Sequence, residues 1–178
     1  MRRVYSIHGG IHPPEEKDLS NPGVVVDAGL PDKLILPLSQ HIGAPAKATV
    51  AVGDRVLGGQ CLAVAQGVVS AAVHAPTSGI VTAIEPRPIP HPSGLNNMCV
   101  EIDCDGRDDW IDLKAIDDYR QLTHHDLLEV IKHAGIAGMG GAGFPTATKL
   151  LAKDRYTIDT LIINGTECEP YITADDTL

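Results

Sequence analysis

The chain has 178 residues, 43% of them hydrophobic, and a formal net charge of −9. This length allows one large domain or two small ones, and charged residues are too sparse to predict a disordered chain. The acidic residues are spread along the sequence rather than clustered, and no basic patch is evident, so we expect no nucleic-acid partner. With only one Phe, one Trp and four Tyr, the core must consist mainly of aliphatic side chains.

Two stretches bear on export and membrane insertion. The opening MRRVYSIHGGIHPPEE has two arginines but no apolar run behind them, so it does not form a secretory signal. Residues 61–84 contain no Asp, Glu, Lys or Arg and are long enough to span a bilayer. Gly, Ser, Thr, His and Pro residues interrupt this stretch, so we predict strands and turns there and no transmembrane segment.

The cysteines and the first histidines do not form a ligand pattern. The four cysteines have spacings that fit neither a ferredoxin-type cluster nor structural zinc: Cys61, Cys99, Cys104 and Cys168. His8 and His12 flank Gly-Gly and precede Pro-Pro, so no helix presents both on one face. We therefore predict no metal site in this chain.

Residues 33–108 are predicted to form a small all-β module after an irregular segment, residues 1–32. Short apolar runs alternate with turn signals at Gly53-Asp54, at Gly58-Gly59 and in the proline-rich stretch 86–92. VGDRVLGGQCLA followed by VHAPTSGIVTAIE resembles the half-motifs of biotinyl and lipoyl carrier domains, whose fold is the barrel-sandwich hybrid. Those carriers attach their prosthetic group to a hairpin lysine, but the corresponding AQGVVSAAV has none. We expect a scaffold or docking module without an attached group.

Residues 109–178 are predicted to begin an α/β domain. THHDLLEVIKHAG predicts a helix with Thr123 as N-cap, Asp126 as its capping-box partner and Gly135 at the C-terminal end. PTATKLLAKD predicts a second helix with Pro145 in its first turn, and TLIING predicts a buried strand. Because one strand and two helices cannot cover a parallel sheet, we expect the chain to be the front part of a longer protein.

The sequence GMGGAGFPTATK, residues 138–149, places four glycines within six residues. Glycines let backbone N–H groups approach a phosphate, and Lys149 can add a cation. Gly138, Gly140 and Gly143 satisfy G-x-G-x-x-G, but a dinucleotide fingerprint follows a strand, and here a helical pattern precedes the loop. A Rossmann-type dehydrogenase and a noncatalytic scaffold, whose loop only relieves tight packing, remain as alternatives.

Polar residues follow the predicted strand TLIING. Asn164 can donate and accept hydrogen bonds, and Glu167 and Glu169 offer acceptors for sugar hydroxyls. Phe144 gives a flat surface at the edge of the glycine loop. A phosphate end, a polyhydroxyl middle and a flat ring together describe flavin mononucleotide, FMN.

GMGGAGFPTATK followed by INGTECEP resembles the flavin- and NADH-binding region of the flavoprotein subunit of respiratory complex I. The resemblance implies NADH contacts at Phe144 and Glu169 and no catalytic acid or base. Met139 stands where that family usually has arginine and Thr166 where it has aspartate, which changes the phosphate grip and the charge near the ring. The predicted FMN contacts are Gly138, Gly140, Gly141, Gly143, Lys149, Asn164 and Glu167.

HGGIHPPEEK, LPLSQHIGAPAKATVAVGDRVLGGQ and HAPTSGIVTAIE look like the C subunit family of the Rnf ion-translocating electron-transport complex, and the resemblance covers nearly the whole chain. That family joins a barrel-sandwich module to a complex I-like flavin domain, a ubiquitin-like module and two ferredoxin-type clusters. It implies an α+β multidomain fold: a small all-β barrel-sandwich hybrid, followed by the start of an α/β flavin-binding domain at residues 109–178.

The same resemblance implies a function. We expect a peripheral subunit at the cytoplasmic face of the cell membrane, an NADH-dependent oxidoreductase that passes electrons through FMN and 4Fe-4S clusters towards ferredoxin. Partner subunits of the complex would translocate the ions. The clusters are expected only beyond residue 178. Because the chain lacks the sheet that would complete the flavin pocket, we expect it to be inactive alone.

Overall fold

The computed structural model describes residues 8–11, 13–91, 93–139, 143–151, 158–167 and 169–177. The chain divides into two compact units: one is Gly29–Tyr156, and the other combines Met1–Ala28 with Thr157–Leu178. The boundaries predicted after residues 32 and 108 stay predictions.

The described residues form short strands and helices. In chain order, the strands are β1 (Lys33–Pro37), β2 (Lys47–Ala48), β3 (Arg55–Val56), β4 (Cys61–Val64), β5 (Val73–His74), β6 (Gly79–Pro88) and β7 (Asn96–Cys104). The helices are α1 (Lys17–Ser20), α2 (His124–His133), α3 (Thr146–Lys149) and α4 (Ala174–Thr177), with a 3₁₀ turn at Tyr119–Gln121.

The strands form two antiparallel sheets in the Gly29–Tyr156 unit. One sheet has the order β1-β7-β6-β3 and the other β2-β4-β5. The longest pairing, between β6 and β7, runs from Gly79 opposite Cys104 to Pro88 opposite Asn96. The turn predicted over residues 86–92 is therefore wrong at its start. Pro86 and Pro88 lie on the same side of β6, because alternate backbone nitrogens of a strand point the same way. Beyond Ile80, the edge of β6 opposite β7 pairs with no described strand, so prolines whose nitrogens face that edge cost no sheet hydrogen bond.

One aliphatic core joins the two sheets. Its side chains come from strands of both sheets and from the loops between them. Burying a Val, Leu or Ile side chain fully contributes about 1.5–3 kcal/mol. The fully buried members are Val56, Leu62, Ala63, Val81, Val100 and Ile102. No aromatic side chain belongs to this described core cluster, as the composition predicted.

The corner between β5 and β6 is held by the loop that follows β7. The Thr77 hydroxyl donates to the Asp108 carboxylate at 2.7 Å, and the Ser78 hydroxyl donates to Asp105 at 2.6 Å. A Cβ at Gly79 would lie 2.3 Å from the carbonyl oxygen of Asp103, so this corner requires glycine. The predicted Pro-to-Gly corner is confirmed.

Helix α2 begins and ends as its sequence predicts. Thr123 and Asp126 form a reciprocal capping box, and the pKa of the Asp126 carboxyl is lowered, chiefly by its hydrogen bond from Thr123. Gly135 follows the helix with φ +72°, the left-handed conformation that favours glycine. With ten residues α2 is the longest described helix, and none in the described part of the chain could cross a bilayer.

Two predicted elements differ in the structure. Helix α3 has only four residues, because Ala147 alone anchors it by burial while Leu150 and Leu151 stay exposed. The rest of the predicted helix, residues 152–154, lies outside the described residues. The buried strand predicted for TLIING is wrong. No described strand pairs with residues 160–165, and its aliphatic side chains are 81–86% exposed: Leu161, Ile162 and Ile163.

Candidate functional site

The glycine-rich segment forms a closed loop. The Gly138 N–H donates to the Phe144 carbonyl at 2.9 Å, and just outside this pair Ala137 and Pro145 form an antiparallel bridge. The chain therefore leaves residue 138 and returns to the same place at residue 144. Gly140 and Gly141, both predicted FMN contacts, lie outside the described residues.

Lys149 folds back beside the first glycine of this loop. A Cβ built on Gly138 would lie 3.5 Å from the Lys149 Nζ atom and 3.5 Å from the Phe144 backbone nitrogen. A side chain at position 138 would therefore fill the space next to the ammonium group. These are ordinary contact distances, and the third neighbour is the Phe144 carbonyl oxygen at 3.7 Å. Of these neighbours, the Lys149 ammonium group is the one that would attract an anionic group such as a phosphate.

Other glycines around the loop are explained by packing against the β module. Gly143 has φ +58°, and a Cβ there would lie 3.0 Å from the Gln40 carbonyl oxygen. Gly135 has φ +72°, and its Cβ would lie 2.4 Å from the Ala72 carbonyl oxygen. These two glycines are thus required by sterics alone, and an FMN contact at Gly143 stays a prediction.

A pocket of about 1230 Å³ lies beside the glycine loop. Gly138, Met139 and Gly143 form part of its wall, and Met139 is fully exposed. Met139 thus contributes an uncharged thioether to this wall. The polar residues of the remaining wall include Ser39, Gln40, His41, His91, Ser93, Asn96 and Asn97.

The remaining predicted contacts lie in the other unit, on a segment shaped by local hydrogen bonds. The Asn164 side-chain oxygen accepts from the Thr166 N–H at 2.9 Å, and Glu167 Oε1 accepts from the Asp175 N–H at 2.9 Å. Glu169 is exposed. Neither glutamate stands at the end of a described strand. We call the segment that contains them, residues 164–175, the acidic turn.

Lys17 binds two backbone carbonyls of the acidic turn, a role that was not predicted from the sequence. Its Nζ donates to the carbonyl oxygens of Glu169 at 2.9 Å and Ile172 at 2.6 Å. Nearby, the Tyr171 N–H donates to the Glu15 carbonyl at 2.9 Å. The motif HPPEEK contains Lys17, but a lysine bound to distant carbonyls leaves no local pattern in a sequence.

The predicted site residues therefore fall into two groups. The structure brings Gly138, Phe144 and Lys149 together in the Gly29–Tyr156 unit, whereas Asn164, Glu167 and Glu169 lie in the other unit. Among the described residues, no three His, Cys, Asp or Glu side chains are placed to hold a metal ion. Cys61 and Cys99 are free thiols whose pKa is raised by burial.

Comparison with known families covers both parts of the sequence. The profile of the RnfC Barrel sandwich hybrid domain matches residues 5–107, which is more than half of the chain. The chain belongs to the RnfC family. The predicted family and the predicted barrel-sandwich hybrid are thereby confirmed. The profile of the Nuo51 FMN-binding domain matches residues 131–178, the segment that includes the glycine loop and the acidic turn.

Similar proteins share one name, which describes the C subunit of an ion-translocating oxidoreductase complex. Those of Vibrio cholerae serotype O1, Serratia proteamaculans and Klebsiella pneumoniae are 50%, 52% and 54% identical to this chain over 176 residues, or 99% of it. The match covers 23%, 25% and 23% of these relatives. The chain thus spans about a quarter of their length.

Proposed function

We propose that this RnfC-family chain belongs to a peripheral electron-transport subunit that takes electrons from NADH through FMN and iron–sulfur clusters towards ferredoxin. Partner subunits translocate ions, and the subunit lies at the cytoplasmic membrane face. The name of its relatives supports a role in an oxidoreductase complex, and the FMN-binding-domain match supports the flavin. NADH, ferredoxin and the clusters rest on the resemblance to the Rnf and complex I subunits.

The observation that carries the proposal is the position of Lys149 beside Gly138 within the FMN-domain match. The positive charge of the ammonium group suits the FMN phosphate. A charge-assisted hydrogen bond is about twice as strong as a neutral one. Because the chain carries a net charge of −9, this cation must act locally, within the screening distance of about 8–10 Å.

The other predicted contacts are proposed on their chemistry. Gly140, Gly141 and Gly143 would offer backbone close to the phosphate, while Asn164 and Glu167 would hydrogen-bond the FMN hydroxyls. Phe144, which is half-buried, and Glu169, which is exposed, would contact NADH.

When bound, FMN supplies the chemistry that takes two electrons from NADH and releases them singly. The chain's own residues bind and orient the cofactor, and we propose no catalytic acid or base among them. Lys149 would hold the phosphate, and the hydrogen bond between Gly138 and Phe144 supports this proposal because it closes the loop next to the Lys149 ammonium group.

The test compares FMN with riboflavin, which has the same ring but no phosphate. The intact protein is stripped of flavin and titrated with each, and NADH is then added under anaerobic conditions to follow loss of the oxidised flavin absorbance. We expect FMN to bind at least about tenfold more tightly than riboflavin, since a charge-assisted bond is lost. Failure to bind FMN, or equal affinity for both flavins, would contradict the proposal.

A noncatalytic docking role is the second candidate, because Gly135 and Gly143 are explained by packing alone. It predicts no flavin binding in the same titration. The Rossmann alternative is not supported, since helix α2 rather than a strand precedes the loop.

A further inference from the structure

His41 is buried in the β module and is hydrogen-bonded through both ring nitrogens. Its Nε2 lies 2.9 Å from the Ala71 backbone nitrogen, and its Nδ1 lies 3.1 Å from the Ile42 carbonyl oxygen. The Ala71 carbonyl oxygen lies farther from Nε2, at 3.2 Å. The shorter contact assigns Nε2 as the acceptor and places the proton on Nδ1, which donates to Ile42.

Ile42 also forms a hydrogen bond to the glycine loop. Its N–H donates to the Gly143 carbonyl at 3.2 Å. A Cβ at Gly143 would lie 3.0 Å from the Gln40 carbonyl oxygen and 3.2 Å from the His41 Cα, so the loop rests directly on residues 40–42. A chain of three hydrogen bonds therefore runs from the backbone of Ala71 through His41 and Ile42 to Gly143.

The far end of this chain of hydrogen bonds lies in residues 65–72, the loop of the β4–β5 hairpin, which we call hairpin 65–72. This stretch contains no lysine. The buried Ser70 hydroxyl accepts from the Gln66 N–H and donates to the Ala44 carbonyl, both at 2.9 Å. The Thr148 hydroxyl of α3 donates to the Val68 carbonyl at 2.8 Å. The hairpin thus contacts both the loop that contains His41 and the helix that contains Lys149.

We propose that His41 is a positioning residue for the FMN-binding loop and that hairpin 65–72 is the platform on which it acts. His41 fixes residues 40–42 to the hairpin, and these residues hold the Gly143 end of the loop. The Gly138 end, where Lys149 lies, closes on the neighbouring Phe144. The proposal rests on the proposed function, in which this loop binds FMN.

Two substitutions separate positioning from packing. His41→Phe keeps an aromatic ring but removes both hydrogen bonds, leaving the buried Ala71 N–H without an acceptor. His41→Gln offers an amide oxygen at about the reach of Nε2 and restores that acceptor. Ile102→Val, in the fully buried core and away from the hydrogen-bond chain, controls for loss of stability alone.

The experiment measures FMN affinity by titration of the intact protein, and, without flavin, hydrogen exchange of peptides that contain Ile42. We expect His41→Phe to weaken FMN binding about tenfold and to reduce protection at Ile42 by a similar factor. His41→Gln should recover both to within about threefold, and Ile102→Val should leave both within about twofold.

The proposal would be overturned if His41→Phe kept the wild-type FMN affinity and the wild-type exchange protection at Ile42. It would also be overturned if His41→Phe and Ile102→Val lost FMN affinity and protection equally. If the wild-type protein binds no FMN, the proposed function fails, and the exchange measurement alone decides whether His41 positions the loop.

Discussion

The indole ring of Trp110 lies against the backbone of Gly58. A Cβ at Gly58 would come within 2.7 Å of two ring carbons, Cδ2 and Cε2. The two residues also form a parallel bridge, with the Ile111 N–H donating to the Gly58 carbonyl at 3.0 Å. The indole N–H donates to Asp108 at 3.0 Å. The loop that follows β7 is thus fastened over the turn between β3 and β4.

Gly58→Ala should therefore destabilise the β module. The added methyl group forces the indole to move, and overpacking of this kind costs about 1–3 kcal/mol in the free energy of unfolding. Urea unfolding of this chain, followed by Trp fluorescence, measures the effect at the site itself, because the chain has one Trp. Gly23→Ala is the control, since a Cβ at Gly23 meets nothing within 4 Å. Equal stability of the two variants would contradict the packing account.

Glu101 gives the stability a defined pH dependence. Its side chain is only 7% exposed and accepts hydrogen bonds from Lys33 at 2.5 Å and Arg87 at 2.7 Å. The hydrogen bond from Lys33 is the main reason that the pKa of Glu101 is lowered, and the charge of Arg87 adds to it. A lowered pKa in the folded state stabilises the fold above the ordinary carboxyl pKa of about 4.3, and this stabilisation is lost as pH falls through the folded value.

Glu101→Gln should lower the free energy of unfolding near neutral pH, and the difference from wild type should shrink in acid. Urea unfolding from about pH 7 to about pH 3 tests this. Glu85→Gln is the matched control. Glu85 pairs with the same Arg87 at 3.0 Å but is half exposed, so its removal should have a small effect. A Glu101→Gln difference that does not change with pH would contradict the account.

Local signals were enough to predict some elements. The capping box of α2 needs only Thr123 and Asp126, three residues apart, so it is decided within one turn of the chain. The corner between β5 and β6 was predicted from its Pro-to-Gly motif, although the contact that requires Gly79 comes from the distant Asp103 carbonyl. The resemblance supplied the family and the barrel-sandwich fold, and comparison confirmed them.

Other features depend on contacts far apart in the sequence and could not be predicted. TLIING has strand propensity, but a strand needs a partner, and no described strand pairs with it. The sequence does not distinguish His41 from an ordinary loop histidine, because its partner Ala71 lies thirty residues along the chain. Lys17 binds the carbonyl of Glu169, which lies 152 residues away.

The two glutamates of the acidic turn should have different effects. Glu167→Gln should reduce FMN retention, whereas Glu169→Gln should impair NADH oxidation more than FMN retention, since we propose different ligands for them. Gln keeps the shape and removes the charge, which separates a specific contact from packing. Flavin content after purification and steady-state NADH oxidation by the intact complex give the two readouts. If both variants match wild type in both assays, the segment is only a solvated turn.

The central claim is that Lys149, beside Gly138, holds the FMN phosphate. Its most direct test is FMN titration of the flavin-stripped intact protein, comparing wild type, Lys149→Ala and Lys132→Ala. Lys132 is a lysine of α2 whose Nζ lies 3.9 Å from Glu129 Oε1, so its removal changes the net charge by the same amount. We predict that Lys149→Ala loses at least about tenfold in FMN affinity and that Lys132→Ala stays within about twofold. Equal affinity of Lys149→Ala and wild type would contradict the claim.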